Sequence, residues 1–140
     1  MTAFADTIFE RATQMAQTGS FVTEDILRRL PTMSRAEVDA QDFGIVKVDD
    51  NGSITLYNRY EADLASVEPS AAEGKSFFTQ IAPCTNNTLF FGNFKRGVKE
   101  GKLNALFPYT FTYRMRPTNV KVHMYRDANT RTNWVLVKKA

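Results

Sequence analysis

The sequence predicts an α+β fold in which an antiparallel sheet carries its helices mainly on one face. Three observations lead there. Strand-like segments come as a pair and then as a run of three, with helical segments between the two groups. Within the strand-like segments apolar residues alternate at a period of two, whereas the other segments repeat them at three and four. A length of 140 residues with 43% hydrophobic content is enough for one packed core and too little for two.

Phe4, Ile8, Ala12 and Met15 recur at helical spacing, so residues 3–17 read as an amphipathic helix ended by Gly19. A short second helix follows. Thr23 is its N-cap, Glu24 and Asp25 suit the positive helix start, Ile26, Leu27 and Leu30 form its apolar side, and Pro31 stops it. From Gly44 the pattern turns to strand. Ile45 to Val48 and Ile54 to Tyr57 flank an Asn51-Gly52 pair and read as a hairpin. Short helical pieces fit Arg59 to Ala65 and Ser76 to Ile81, with a loop through Pro69 and Gly74 between them. Thr88 begins a longer helix that turns Phe90, Phe94 and Val98 to one side and ends before Gly101. Three strands close the chain. In the first, Tyr109, Phe111, Tyr113 and Met115 alternate with polar residues, and Pro108 belongs at its start or at a sheet edge. Val120, Val122 and Met124 alternate in the next, and Trp134 to Lys138 form the last. This order is the pattern of a PAS-like, five-stranded antiparallel sheet with an N-terminal helical cap.

Composition narrows the function. No apolar run reaches the roughly 20 residues of a membrane span, and the acid-bearing opening segment is not a secretory signal. One Cys allows no internal disulfide, which points to the cytoplasm. Residues 1–70 hold 6 Lys+Arg against 12 Asp+Glu, net −6, while residues 71–140 hold 12 against 3, net +9. The basic residues are scattered rather than clustered, so the split reads as an acidic half docked on a basic half or as solvated surfaces, and not as nucleic-acid binding. Glu73-Gly74-Lys75-Ser76 ends like a phosphate loop but has Pro69 where the first glycine is needed. A calcium loop from Asp49 or Asp50 lacks its mid-loop glycine, and one His with one Cys cannot build a structural zinc site, so no metal is expected. Cys84 and His123 could form a nucleophile pair, although a lone His within an alternating strand is ordinarily structural.

Singly, Cys84 reads as a small buried hydrophobe, Glu61 as a solvated helix residue and Tyr57 as a core aromatic. Together they fall in an ordered series: Tyr57-Asn58-x-x-Glu61, Gly74-Lys75-x-Phe77-Phe78, Ala82-Pro83-Cys84-Thr85, Tyr109-Thr110-Phe111-x-Tyr113-x-Met115-x-Pro117-Thr118 and Val120-Lys121-Val122-His123-Met124. This series, with Phe21-x-Thr23-Glu24-Asp25-Ile26, resembles the photoactive yellow proteins over about residues 21–140.

The resemblance implies a blue-light receptor, not an enzyme. Its light-absorbing group would be 4-hydroxycinnamic acid (p-coumaric acid), held as a thioester on Cys84 and hydrogen-bonded by Tyr57 and Glu61. Ala65, Val67, Phe77, Ala82, Tyr109, Phe111, Tyr113 and Met115 would line or flank the pocket. Ala65 and Val67 depart from the Thr and Arg of the best-known members. Phe21 and Lys138 would make a contact between a cap and the sheet. The implied organisation is an extension over 1–20, a cap over 21–43 and a PAS core over 44–140. Signalling would run by trans–cis isomerisation, proton transfer from Glu61 and release of the cap toward an unidentified signalling protein. The receptor would be a monomer or a homodimer, acting in the cytoplasm without nucleic acid or membrane. Two alternatives stand beside it: a PAS module for a non-covalent ligand or dimerisation, and a small cysteine-dependent acyl enzyme.

Overall fold

A computed structural model describes residues 20–112 and 116–140. The expected helix over 3–17, and the expected pocket residues Tyr113 and Met115, lie outside the described residues. Five strands, β1 (Gly44–Val48), β2 (Ile54–Tyr57), β3 (Asn104–Phe111), β4 (Thr118–Asp127) and β5 (Thr132–Lys139), form one antiparallel sheet in the order β2-β1-β5-β4-β3. Both sides of the sheet are covered. On one, Val46, Tyr57, Val122, Met124, Val135 and Val137 pack with Phe77, Phe78, Phe90 and Phe94 in the main core. On the other, Ile45, Trp134 and Leu136 meet Val22, Leu27, Leu30, Val38 and Phe43 from the N-terminal segment. Alternation along each strand delivers this two-sided arrangement.

The N-terminal segment forms two short helices. The first, α1 (Glu24–Arg29), is capped by Thr23, whose hydroxyl accepts from the Ile26 amide at 3.2 Å. As expected, Pro31 ends this α-helix, whose last residue is Arg29. It sits inside a 3-10 turn, Leu30–Thr32, where the missing amide costs no bond. The second, α2 (Arg35–Asp39), was not foreseen, although Ser34 and Glu37 make a reciprocal capping box that is visible as Ser-x-x-Glu.

The hairpin expectation needs correcting in its turn. Asn51-Gly52 is not a two-residue connection: Val48 pairs with Ile54, and Asp49 organises the loop by accepting from the amides of Asn51 and Ser53, both at 2.9 Å. Beyond β2 come α3 (Arg59–Ala65) and α4 (Pro69–Ala72), the latter in what reads as a loop. Phe77–Ile81 and Thr88–Gly92 are single π turns, and the second leads into α5 (Asn93–Glu100). Asn87, rather than Thr88, caps that run, because its side-chain oxygen reaches the Phe90 amide at 2.9 Å. Gly101 ends it at φ +73°, a left-handed position that favours glycine. β3 begins five residues before the expected Tyr109, so Pro108 lies mid-strand; it is tolerated because β3 is an edge.

Candidate functional site

Tyr57 ends β2 and Glu61 lies in the first turn of α3, so a strand-to-helix junction holds both. Asn58 makes that junction. Its side-chain oxygen accepts from the amides of Ile45 (2.9 Å) and Glu61 (3.1 Å), and its amide nitrogen donates to the carbonyls of Val38 (2.9 Å) and Phe43 (3.0 Å). A fully buried Asn with all of these bonds made locks α3 to β1 and to the N-terminal segment at once. Asn58-x-x-Glu61 is a helix-start pattern, and that signal could have singled Asn58 out from sequence.

The Glu61 side chain is only 2% exposed. It finds room because residue 44 is a glycine. A Cβ there would fall 3.2 Å from the carboxyl carbon of Glu61 and overlap its Oε1. Burial pushes the Glu61 pKa up to about 8, so near neutral pH the carboxyl holds its proton. Burial, and next the neighbouring Glu61 charge, raise the Tyr57 phenol well above its ordinary value. Tyr57 Oη and Glu61 Oε1 are both buried without a hydrogen-bond partner among the described residues. A buried phenol and a buried carboxyl that lack partners in an apolar core suit a bound group presenting a strong acceptor such as an anionic oxygen.

Cys84 lies in a 3-10 turn, Pro83–Thr85, and is half-buried against the same core cluster as Tyr57. Its carbonyl is pinned from two directions: Tyr109 Oη donates to it at 2.5 Å and Asn87 Nδ2 at 3.3 Å. Asn87 also donates to Tyr109 Oη at 2.7 Å, closing a triangle. Thr85 fastens the turn from below through its hydroxyl, 2.6 Å from the Ala82 carbonyl. Asn87 carried no signal in the sequence, while Gly44 reads there only as the start of a strand and Thr85 only as part of the Cys84 motif. Five further pocket candidates belong to the same cluster or pack on it. Phe77 and Phe111 are buried, while Val67, Ala82 and Tyr109 pack half-buried on the cluster. Ala65, the last residue of α3, is half-buried.

Two expectations change. The Phe21–Lys138 contact does not form. Lys138 Nζ binds the carboxylate and the carbonyl of Asp42 at 2.9 and 2.8 Å, and the Phe21 ring stands edge-on to Phe43 at 5.7 Å. An ion pair outcompetes a ring for a partly hydrated ammonium. Nor does His123 pair with Cys84. Residues 123 and 125 alternate with the core-facing Val122 and Met124, and His123 Nε2 is bonded to Asn104 Oδ1 at 2.6 Å.

A five-stranded antiparallel sheet in the order β2-β1-β5-β4-β3, with its helices packed on it, defines a PAS-type domain. The PAS domain of an HTR-like protein from Haloarcula marismortui shares the fold at 16% identity, with TM-score 0.52 over 82% of this chain and 96% of that one. No family model matches the chain. The photoactive yellow protein of Rhodothalassium salexigens is 42% identical over 119 residues, which is 85% of this chain and 95% of that protein. The photoactive yellow protein domain of the sensor histidine kinase Ppr from Rhodospirillum centenum superposes with TM-score 0.75 at 38% identity, over 79% of this chain and 97% of that one. The chain belongs to the photoactive yellow protein family, whose members are blue-light photoreceptors and not enzymes. No helix among the described residues is long and apolar enough to cross a membrane.

Proposed function

We propose that this photoreceptor carries 4-hydroxycinnamic acid as a thioester on Cys84, and that it signals through Glu61 and the N-terminal segment to a protein partner. One observation carries the reading: the buried Tyr57 Oη and Glu61 Oε1 lack partners among the described residues, and Tyr57 belongs to the core cluster against which Cys84 packs. When bound, the group supplies visible absorption, a phenolate oxygen that accepts hydrogen bonds and a double bond that light isomerises from trans to cis. Tyr57 and Glu61 hold that oxygen in the dark by donating to it. In the light Glu61 would pass its proton to that phenolate oxygen, leaving a carboxylate in an apolar site. An uncompensated charge there costs several kcal/mol, a large share of the ~5–15 kcal/mol that holds a domain together. Asn58 carries the strain outward, since it bonds both the Glu61 amide and the carbonyls of Val38 and Phe43. Residues 21–43 then act as a cap that leaves the sheet and uncovers Ile45, Trp134 and Leu136 for the partner.

Mixing pigment-free protein with activated 4-hydroxycinnamate tests the assignment. A visible band should appear, with one group added per chain and mapped to the peptide containing Cys84. Cys84→Ala should stay colourless. A colourless wild-type protein, or covalent loading of Cys84→Ala, would overturn the reading.

A further inference from the structure

β2 is an edge strand, and the peptide groups of Tyr57 point away from β1 rather than toward it. Edge groups of this kind ordinarily bond water. Here they do not. The Tyr57 amide donates to Glu73 Oε2 at 3.0 Å, and its carbonyl accepts from Arg35 Nη2, also at 3.0 Å. Arg35 Nη1 meets the same Glu73 oxygen at 2.8 Å, so an ion pair closes around one residue. Arg35 comes from α2 of the N-terminal segment, and Glu73 from the turn after α4. The same helix holds the next two residues: the Val38 carbonyl accepts from Asn58, and Asp39 Oδ1 accepts from the Arg59 amide at 2.8 Å. Asp39 also lies 3.5 Å from Arg35 Nε.

Strand pairing does not require this arrangement, because β1 already pairs with β2. Its consequence is positional. The guanidinium fork fixes a carbonyl and a carboxylate together, and the carboxylate fixes the amide. We propose that Arg35 and Glu73 are positioning residues that clamp the Tyr57 backbone, hold its phenol in place in the dark, and release it when the N-terminal segment leaves. The proposal rests on Tyr57 being a pigment donor. It adds a second route between the segment and the site, alongside the bonds of Asn58 to the same helix. Both partners are partly exposed, so salt weakens the clamp and it opens readily.

Amide exchange in the pigment-free protein reads the clamp directly. Glu73→Ala and Arg35→Gln should each speed exchange at Tyr57 by about tenfold and shift its ring resonances, with Val46 across the ladder unchanged. Glu73→Gln, whose amide oxygen can still accept, should restore part of the protection. In pigmented protein the visible band should move in Glu73→Ala and lie closer to wild type in Glu73→Gln. Unchanged Tyr57 exchange in Glu73→Ala overturns the clamp. Faster exchange with unmoved ring resonances and an unmoved band overturns its positioning role. Failure of any variant to take up pigment while wild type also fails counts against the photoreceptor reading alone, since exchange and ring resonances still decide the clamp.

Discussion

Replacing Glu61 by Gln should change how stability depends on pH, and the size of the change follows from burial. In the folded chain the carboxyl titrates at about 8, against 4.5 for the free side chain. Between those values the folded state keeps a proton that the unfolded state has lost, so stability falls as pH rises. The Glu61 contribution is fully present below about pH 4.5 and gone above about pH 8. At ~1.4 kcal/mol per pH unit the total is roughly 5 kcal/mol, of which about 3 is lost by pH 7. His123 acts in the opposite sense: burial lowers its pKa, so its contribution is lost as pH falls. Subtracting the Glu61→Gln curve from the wild-type curve cancels His123 and leaves Glu61. The assay is urea unfolding of pigment-free protein from pH 5 to 9. Wild type should lose stability from pH 5 to about pH 8 and then level off, relative to a flatter Glu61→Gln. Parallel curves would show that Glu61 is not held neutral by the fold, and the proton-release step would lose its physical basis.

Two further outcomes are expected. Ala65→Thr with Val67→Arg should lower the pH at which the dark-state visible band titrates, by about one unit, because a hydroxyl and a cation are added beside the phenolate; identical titrations in the two proteins would exclude any effect of these positions on the pigment. In pigmented protein, light should accelerate amide exchange across residues 21–43 before it affects β4 and β5, and equal exchange of that segment in light and dark would rule out cap release as the signal.

The sequence by itself determined the elements whose causes are local. Period-two alternation in Val120, Val122 and Met124 marked β4, Thr23 marked the start of α1, and Gly101 marked the end of α5, because each depends on neighbours within a few residues. The ordered Tyr57, Glu61 and Cys84 motifs named the site through resemblance. What the motifs do chemically was decided by the tertiary structure. Glu61 lies in a helical segment that reads as solvated, and it is neutral only because β1 supplies Gly44 and the core closes over it. Lys138 chose Asp42, 96 residues away, over a ring, and Arg35 met Glu73 across 38 residues. Desolvation and ion pairing depend on which distant surfaces fold together. Those energies are summed over space and not along the chain, so a local reading could name the side chains and not their charge states or partners.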